Sequence, residues 1–165
     1  MKRITGNENL LTIGLFAGLA GGTAEVVWVG LYSGVTGTSG ANVAEQVAAS
    51  LIPSAAGLPS APLLGIAIHM LLSIALGLAF AATIWRLAVP RLGTAALMAT
   101  ATLSLALVWA INFFVVLPVL NPGFITLLPY GITLASKVLF GIAMGTVLLS
   151  SPPRQNLDQP LYSVQ

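Results

Sequence analysis

The chain of 165 residues contains no cysteine and very little charge, with only 6% of its residues charged. The missing thiols exclude disulfides, thiolate nucleophiles, and zinc or iron–sulfur sites that depend on thiolate ligands. The scarcity of charge argues against an ordinary soluble domain, in which about a quarter of the residues are charged. The six basic residues form no patch, so nucleic acid is not an expected partner.

What the sequence contains instead is long apolar runs, with 57% apolar residues and a mean hydropathy of +0.98. A transmembrane helix needs about 20 mostly apolar residues. Four segments meet this requirement, at about 10–32, 61–87, 92–120 and 124–150. The first run is too long for a typical signal-peptide core, so we expect it to remain in the protein. The sequence therefore predicts an all-α integral membrane protein with one domain, a four-helix transmembrane bundle over residues 1–150. The polar, proline-rich residues 151–165 predict a disordered cytoplasmic tail.

The basic residues predict the orientation of the bundle. The links at about 33–60 and 119–125 contain no Lys or Arg. By the positive-inside rule, both termini are expected on the cytoplasmic side of a bacterial inner (plasma) membrane. The residues that mark the cytoplasmic side are Lys2, Arg3, Arg86, Arg91 and Arg154.

The first outer link contains a periodic segment, "ANVAEQVAASLI", at residues 41–52. Val43, Val47 and Leu51 recur at helical spacing, with Glu45 and Gln46 elsewhere on the wheel. This pattern predicts a short amphipathic helix, ending at Pro53, that lies on the outer membrane surface or caps the bundle.

Small residues recur every four positions along the predicted transmembrane helices. Such faces allow membrane helices to approach closely. The predicted packing positions are Gly14, Gly18 and Gly22 in the first helix, Gly65 and Gly77 in the second, and Gly141 and Gly145 in the fourth.

Each helix also carries one strongly polar side chain on its small or polar face: Glu25, His69, Asn112 and Lys137. At 1.5 Å per residue all four lie roughly 20–28 Å above the cytoplasmic ends of their helices. An isolated charge in the membrane costs at least ~2.5–3.5 kcal/mol, so we expect Glu25 to pair with Lys137. The four residues are predicted to form a buried polar cluster, either a proton or ligand site or a structural device that fixes helix register.

The sequence contains no complete catalytic or cofactor motif. No Ser–His–Asp set and no HExxH motif is present, so an enzyme is not predicted. A bis-His haem needs two histidines, and the chain has one. Met98 and Met144 fall at a different depth from His69, which argues against His–Met ligation. We predict no metal and no cofactor, and leave open only a five-coordinate haem or one shared with another subunit.

The stretch "AGGTAEVVWVGLY", residues 20–32, resembles the first helix of small multidrug-resistance transporters. In that family a membrane-embedded Glu exchanges protons for a cationic substrate, so the resemblance implies that Glu25 is a coupling carboxylate. The chain departs from the family pattern in its long outer link, in His69 and in Lys137. A buried Lys beside Glu25 also argues against a cation bound there.

Two functional hypotheses follow. The first is a non-enzymatic accessory or assembly subunit of a larger inner-membrane complex, whose partners are the lipid bilayer and other membrane subunits or a second copy. The alternative is a small proton-coupled transporter or proton-conducting protein that uses Glu25, Lys137 and His69.

Overall fold

The computed structural model describes residues 6–85 and 93–150. The predicted tail at 151–165 lies outside the described residues, as do Lys2, Arg3, Arg86, Arg91 and Arg154. Across the described ranges the regular structure is entirely helical, without a strand. Four helices are long and apolar enough to cross a membrane: Leu10–Thr36, Ala61–Thr83, Thr94–Leu120 and Tyr130–Ser150.

The elements follow one another with short connections. They are α1 (Gly6–Thr36), α2 (Gly40–Leu51), a 3₁₀ turn (Pro53–Ala55), α3 (Ala61–Phe80) continuing as a π-helical turn (Ala81–Trp85), α4 (Thr94–Ile111), a second π-helical turn (Asn112–Val116), α5 (Leu117–Leu120), a 3₁₀ turn (Pro122–Thr126) and α6 (Tyr130–Ser150).

The last helix begins at Tyr130 rather than at about residue 124. Proline disfavours the α conformation in the residue before it, so a helix cannot run smoothly through Leu128 and Pro129. The apolar residues before Pro129 instead form the 3₁₀ turn Pro122–Thr126.

The second π-helical turn lies directly before Pro118. Proline has no N–H, and its ring clashes with the carbonyl four residues earlier in a regular helix. Here the N–H of Leu117 bonds to the carbonyl of Asn112, five residues back. This wider turn lets the helical path continue past the proline to Leu120.

The four long helices pack as antiparallel neighbours. α1 packs against α3 on one side and α6 on the other, and α4 packs against α6. One apolar core joins them in the half of the bundle that contains the start of α1 and the end of α6, which we call the terminal half. This core consists of Ala17, Phe80, Ala81, Leu97, Ala101, Leu105, Phe140, Met144 and Leu148.

The predicted packing glycines all lie where a neighbouring segment comes close. A Cβ atom added at any of the seven would approach a neighbour to within 3.0 Å. At Gly18 and Gly77 the obstruction is the backbone of the facing helix, so α1 and α3 touch main chain to main chain. Gly65 faces the backbone of Ala44 in α2 rather than another long helix. Gly21, which we did not predict, faces the ring of Phe140.

The short helix α2 lies at the other end of the bundle, which we call the α2 half. It packs along α3 and also contacts the corner between α5 and α6. Ser39 caps it, accepting a hydrogen bond from the N–H of Asn42 at 3.2 Å. Val43 and Ala48 are buried, whereas Leu51, predicted on the same face as Val43, is 53% exposed.

Polar contacts hold α2 to that corner. The side-chain amide nitrogen of Asn121 lies 3.0 Å from Oε1 of Gln46 and 3.1 Å from Oγ of Ser50. On the other side, Glu45 accepts a hydrogen bond from the N–H of Gly57 at 2.8 Å. Three polar residues of α2 are thus engaged with the two loops that flank it.

Candidate functional site

An ion pair joins α1 to α6 within the bundle. Glu25 lies on the glycine face of α1 and is only 9% exposed. Its Oε2 lies 2.6 Å from Nζ of Lys137, a residue 112 positions later in the chain. Gly21 is the glycine of α1 that faces α6, where it lies against Phe140, whereas the predicted packing glycines of these two helices face α3 and α4.

The second carboxylate oxygen is next to a hydroxyl that we did not predict from the sequence. Oγ of Ser136 lies 2.9 Å from Oε1 of Glu25 and 2.7 Å from the carbonyl of Thr133. A hydroxyl carries one hydrogen, so Ser136 donates to one of these acceptors at a time. The sequence places Ser136 directly before Lys137, which was the signal available. Ser136 does not belong to the series of small residues at four-residue spacing from which the cluster was predicted.

His69 approaches the same carboxylate from α3. Its Nε2 lies 3.8 Å from Oε2 of Glu25, beyond hydrogen-bond length but within ion-pair range for a protonated ring. The same nitrogen lies 3.3 Å from the carbonyl of Gly22 and 3.5 Å from Oγ of Ser73. Glu25 therefore lies between a lysine on α6 and a histidine on α3.

Phe140 completes the surroundings of Lys137. Its ring centroid lies 5.6 Å from Nζ, and the residue is fully buried. A cation over an aromatic face is attracted by the ring quadrupole. Lys137 and Phe140 are three residues apart on one face of α6. The ring also fits against α1, because Gly21 has no side chain there.

The cluster is electrically balanced when His69 is neutral. One carboxylate and one ammonium are present, and the two carboxylate oxygens have different partners. Burying two charges costs several kcal/mol per ion, and close contact with added hydrogen bonds offsets that cost. The arrangement holds opposite charges in an apolar interior without an outside counter-ion.

Asn112 does not join this group in the structure. Among the described residues its side chain makes no hydrogen bond, and it lies at the start of the π-helical turn Asn112–Val116. α4 packs against α6 rather than against α1, which carries Glu25. The structure therefore brings together three of the four predicted cluster residues.

Two tryptophans fix the first turn of α6, just before Ser136 and Lys137. Nε1 of Trp28 donates to the carbonyl of Ile132 at 3.0 Å, from α1. Nε1 of Trp109 donates to Oγ1 of Thr133 at 3.0 Å, from α4. These bonds set the height of α6 relative to both neighbouring helices and hence the height of Lys137 relative to Glu25.

The described residues contain no group of three or more His, Cys, Asp or Glu side chains that could hold a metal ion. The cluster itself consists of a carboxyl group, an imidazole and an amine, three groups that can hold or exchange protons and stabilise charge.

Over residues 6–85 and 93–150 the fold and the cluster define an all-helical structure with four helices able to cross a membrane and a buried Glu25–Lys137 ion pair between two of them. Comparison of the chain with protein-family models, curated proteins and solved structures gives no match.

Proposed function

We propose that the chain is a non-enzymatic multi-pass protein of the bacterial inner membrane and serves as an accessory or assembly subunit of a larger complex. In this proposal both termini lie in the cytoplasm, and α2 is an amphipathic helix at the outer surface.

The ion pair between Glu25 and Lys137 carries the structural, non-enzymatic part of this proposal. Lys137 contacts Glu25 at 2.6 Å, and both side chains are largely buried. A pair whose charges balance inside one chain serves to fix the register of α1 against α6, and register control is the best-attested role of buried polar groups.

The surface of α4 supports association with another subunit. The span Thr94–Leu120, which begins with α4, is only 17% buried within the chain over its most apolar part, the lowest share among the four long spans. Leu103, Leu107 and Ile111 recur at four-residue spacing on its exposed side, with exposures of 68%, 61% and 49%. This ridge contacts either lipid or the helix of another subunit.

Native purification tests the proposal. We expect defined membrane subunits to co-purify with the intact chain from mild detergent. Leu107→Trp, which alters the α4 ridge, should release them. Leu71→Trp is the matched control, because Leu71 is 67% exposed but lies on α3. If nothing co-purifies with the unaltered chain, the subunit role is wrong; if both variants retain the subunits equally, the α4 ridge is not the contact surface.

The approach of His69 to Glu25 favours a second candidate, a small proton-coupled transporter or proton-conducting protein. Intramembrane ionisable groups that lie together commonly mark proton paths. Purified protein in liposomes with an internal pH dye would then dissipate a proton gradient, and Glu25→Gln would abolish the flux. Flux by the isolated chain distinguishes this candidate from the subunit role.

A further inference from the structure

One ring nitrogen of His69, Nε2, is surrounded by hydrogen-bond acceptors only. Nε2 faces the carbonyl of Gly22 at 3.3 Å, Oε2 of Glu25 at 3.8 Å and Oγ of Ser73 at 3.5 Å. The hydroxyl hydrogen of Ser73 is already donated to the carbonyl of His69 at 2.8 Å. The hydroxyl therefore presents only lone pairs to the ring.

This environment fixes the tautomer of the neutral ring. A bare nitrogen at Nε2 would direct its lone pair at three oxygen acceptors, whereas an N–H can donate to them. The neutral ring therefore carries its hydrogen on Nε2, and the lone pair lies on Nδ1. In the described part of the chain Nδ1 makes no hydrogen bond, and the side chain is 19% exposed.

We propose that His69 is a proton-binding site, that the exchangeable proton binds at Nδ1, and that its binding draws Oε2 of Glu25 away from Lys137 and towards His69. One proton is taken from the medium and one N–H bond forms at Nδ1. The net charge of the cluster rises from zero to +1, and no other bond is made or broken.

The competition follows from the shared oxygen. Lys137 and His69 both approach Oε2, at 2.6 Å and 3.8 Å. Protonation turns the Nε2–H into a charged donor, and charge-assisted hydrogen bonds are shorter and stronger than neutral ones. Oε2 is then shared between two cations, so its bond to Lys137 weakens as the bond to His69 forms.

Glu25 and Lys137 are the charged groups that the neighbouring elements bring near the ring of His69. α2 packs against α3 and carries one ionisable residue, Glu45, which is engaged with the N–H of Gly57. α4 contains no Asp, Glu, Lys or Arg between Thr94 and Ile111. Proton binding at His69 therefore weakens the ion pair between α1 and α6 and strengthens a tie between α1 and α3, while Ser136 of α6 stays beside Oε1. This acid response goes beyond the proposed subunit role and does not depend on it.

The composition makes the test direct, because the chain has a single histidine and two lysines, Lys2 and Lys137. Full-length protein in lipid nanodiscs is labelled with ¹⁵N in the histidine ring and in the lysine ammonium groups. The pH is lowered from about 8 to about 5, the range in which histidine ordinarily changes charge. Lys2→Arg assigns the two lysine signals.

In the neutral ring we expect Nε2 to carry the hydrogen and Nδ1 to show the shift of a bare nitrogen. On acidification Nδ1 should gain a proton, and the Lys137 signal should move with the same midpoint. In His69→Gln, which keeps a polar side chain but cannot titrate, the Lys137 signal should stay constant over this range. The Lys2 signal, followed in the same samples, is the internal control.

Three results would overturn the proposal: a neutral ring with its hydrogen on Nδ1, a ring that stays neutral throughout the titration, or a Lys137 signal that does not move while His69 gains its proton. The first two are read from the unaltered chain alone, so they do not depend on whether a variant folds.

Discussion

At the scale of single residues, the two ends of the Glu25–Lys137 pair depend on each other. Removing one partner leaves the other charge buried without compensation, which costs about 3–5 kcal/mol, whereas replacing both by well-packed neutral residues is often nearly neutral. We therefore expect Glu25→Gln and Lys137→Met each to lower the free energy of unfolding. The double variant should lose much less than the sum, as measured by denaturant unfolding in detergent or nanodiscs.

The cycle also separates the two functional candidates. If the double variant regains both stability and subunit binding, the pair is structural. If it regains stability and loses proton flux, the charges act in transport. Strictly additive losses, with coupling below ~0.5 kcal/mol, would mean that the two side chains do not interact.

The sequence predicts the pairing of Glu25 and Lys137 for a physical reason. Each lies on a small-residue face, and pairing offsets the free-energy cost of placing two opposite charges in an apolar bundle. The packing of Phe140 against α1 is not predictable in the same way, because it depends on which helix faces Gly21. Asn112 shares the helical spacing of the others, but spacing along one helix does not reveal that α4 packs away from α1.

At the scale of helices, close packing between α1 and α3 depends on the absence of side chains. A Cβ atom at Gly18 would approach Cα of Ile74 to 2.6 Å and also meet the carbonyl of Ser73. Backbone cannot move aside as a flexible side chain can, so we expect Gly18→Ala to destabilise the protein by about 1–3 kcal/mol.

Gly30→Ala provides the matched control in the same helix. No atom lies within 4 Å of a Cβ built at Gly30, and alanine favours the helix over glycine by up to about 1 kcal/mol. Gly30→Ala should therefore be neutral or slightly stabilising in the same unfolding assay. Equal losses from both variants would show that α1 and α3 do not meet at Gly18.

The position of α2 depends on Asn121, whose amide nitrogen lies near three acceptors in α2. We expect Asn121→Ala to release α2 from the corner between α5 and α6, because the other side-chain donor to Gln46, the hydroxyl of Ser50, belongs to α2 itself. Hydrogen–deuterium exchange of residues 40–51 should then speed up by about tenfold, which corresponds to a loss of about 1.4 kcal/mol in protection.

Asn42→Ala is the control for this experiment. Asn42 is exposed, and its recorded cap contact uses the backbone N–H rather than the side chain. Exchange in α2 should be nearly unchanged in this variant. If Asn121→Ala leaves exchange in α2 unaltered as well, the bonds from Asn121 do not hold the helix.

The helices themselves follow from apolar runs and helical spacing, and their ends depend on local chemistry. Ser39 is a favourable N-cap, and Gly37 adopts a left-handed φ of 74° in the link between α1 and α2. The start of α6 was predicted too early because residues 124–128 are as apolar as the helix that follows. Only the restriction that Pro129 imposes on its predecessor distinguishes them.

At the scale of the whole molecule, the basic residues predict which ends of the helices face the cytoplasm. Reporter fusions after Thr38 should read as extracytoplasmic, and fusions after Pro90 and Gln155 as cytoplasmic, because the links at about 33–60 and 119–125 contain no Lys or Arg. A fusion after Arg3 serves as the cytoplasmic reference. An extracytoplasmic reading after Gln155 would contradict the proposed orientation.

The separation of 112 residues between Glu25 and Lys137 has a consequence for biosynthesis. Ribosomes add about 5–20 residues per second, so Glu25 leaves the ribosome on the order of ten seconds before its lysine. In the proposed membrane topology, the nascent first helix must during this interval either enter the bilayer with an uncompensated carboxylate or wait beside the insertion machinery. His69 emerges after only 44 further residues (69 − 25), which makes it the first polar partner that the growing chain offers to Glu25.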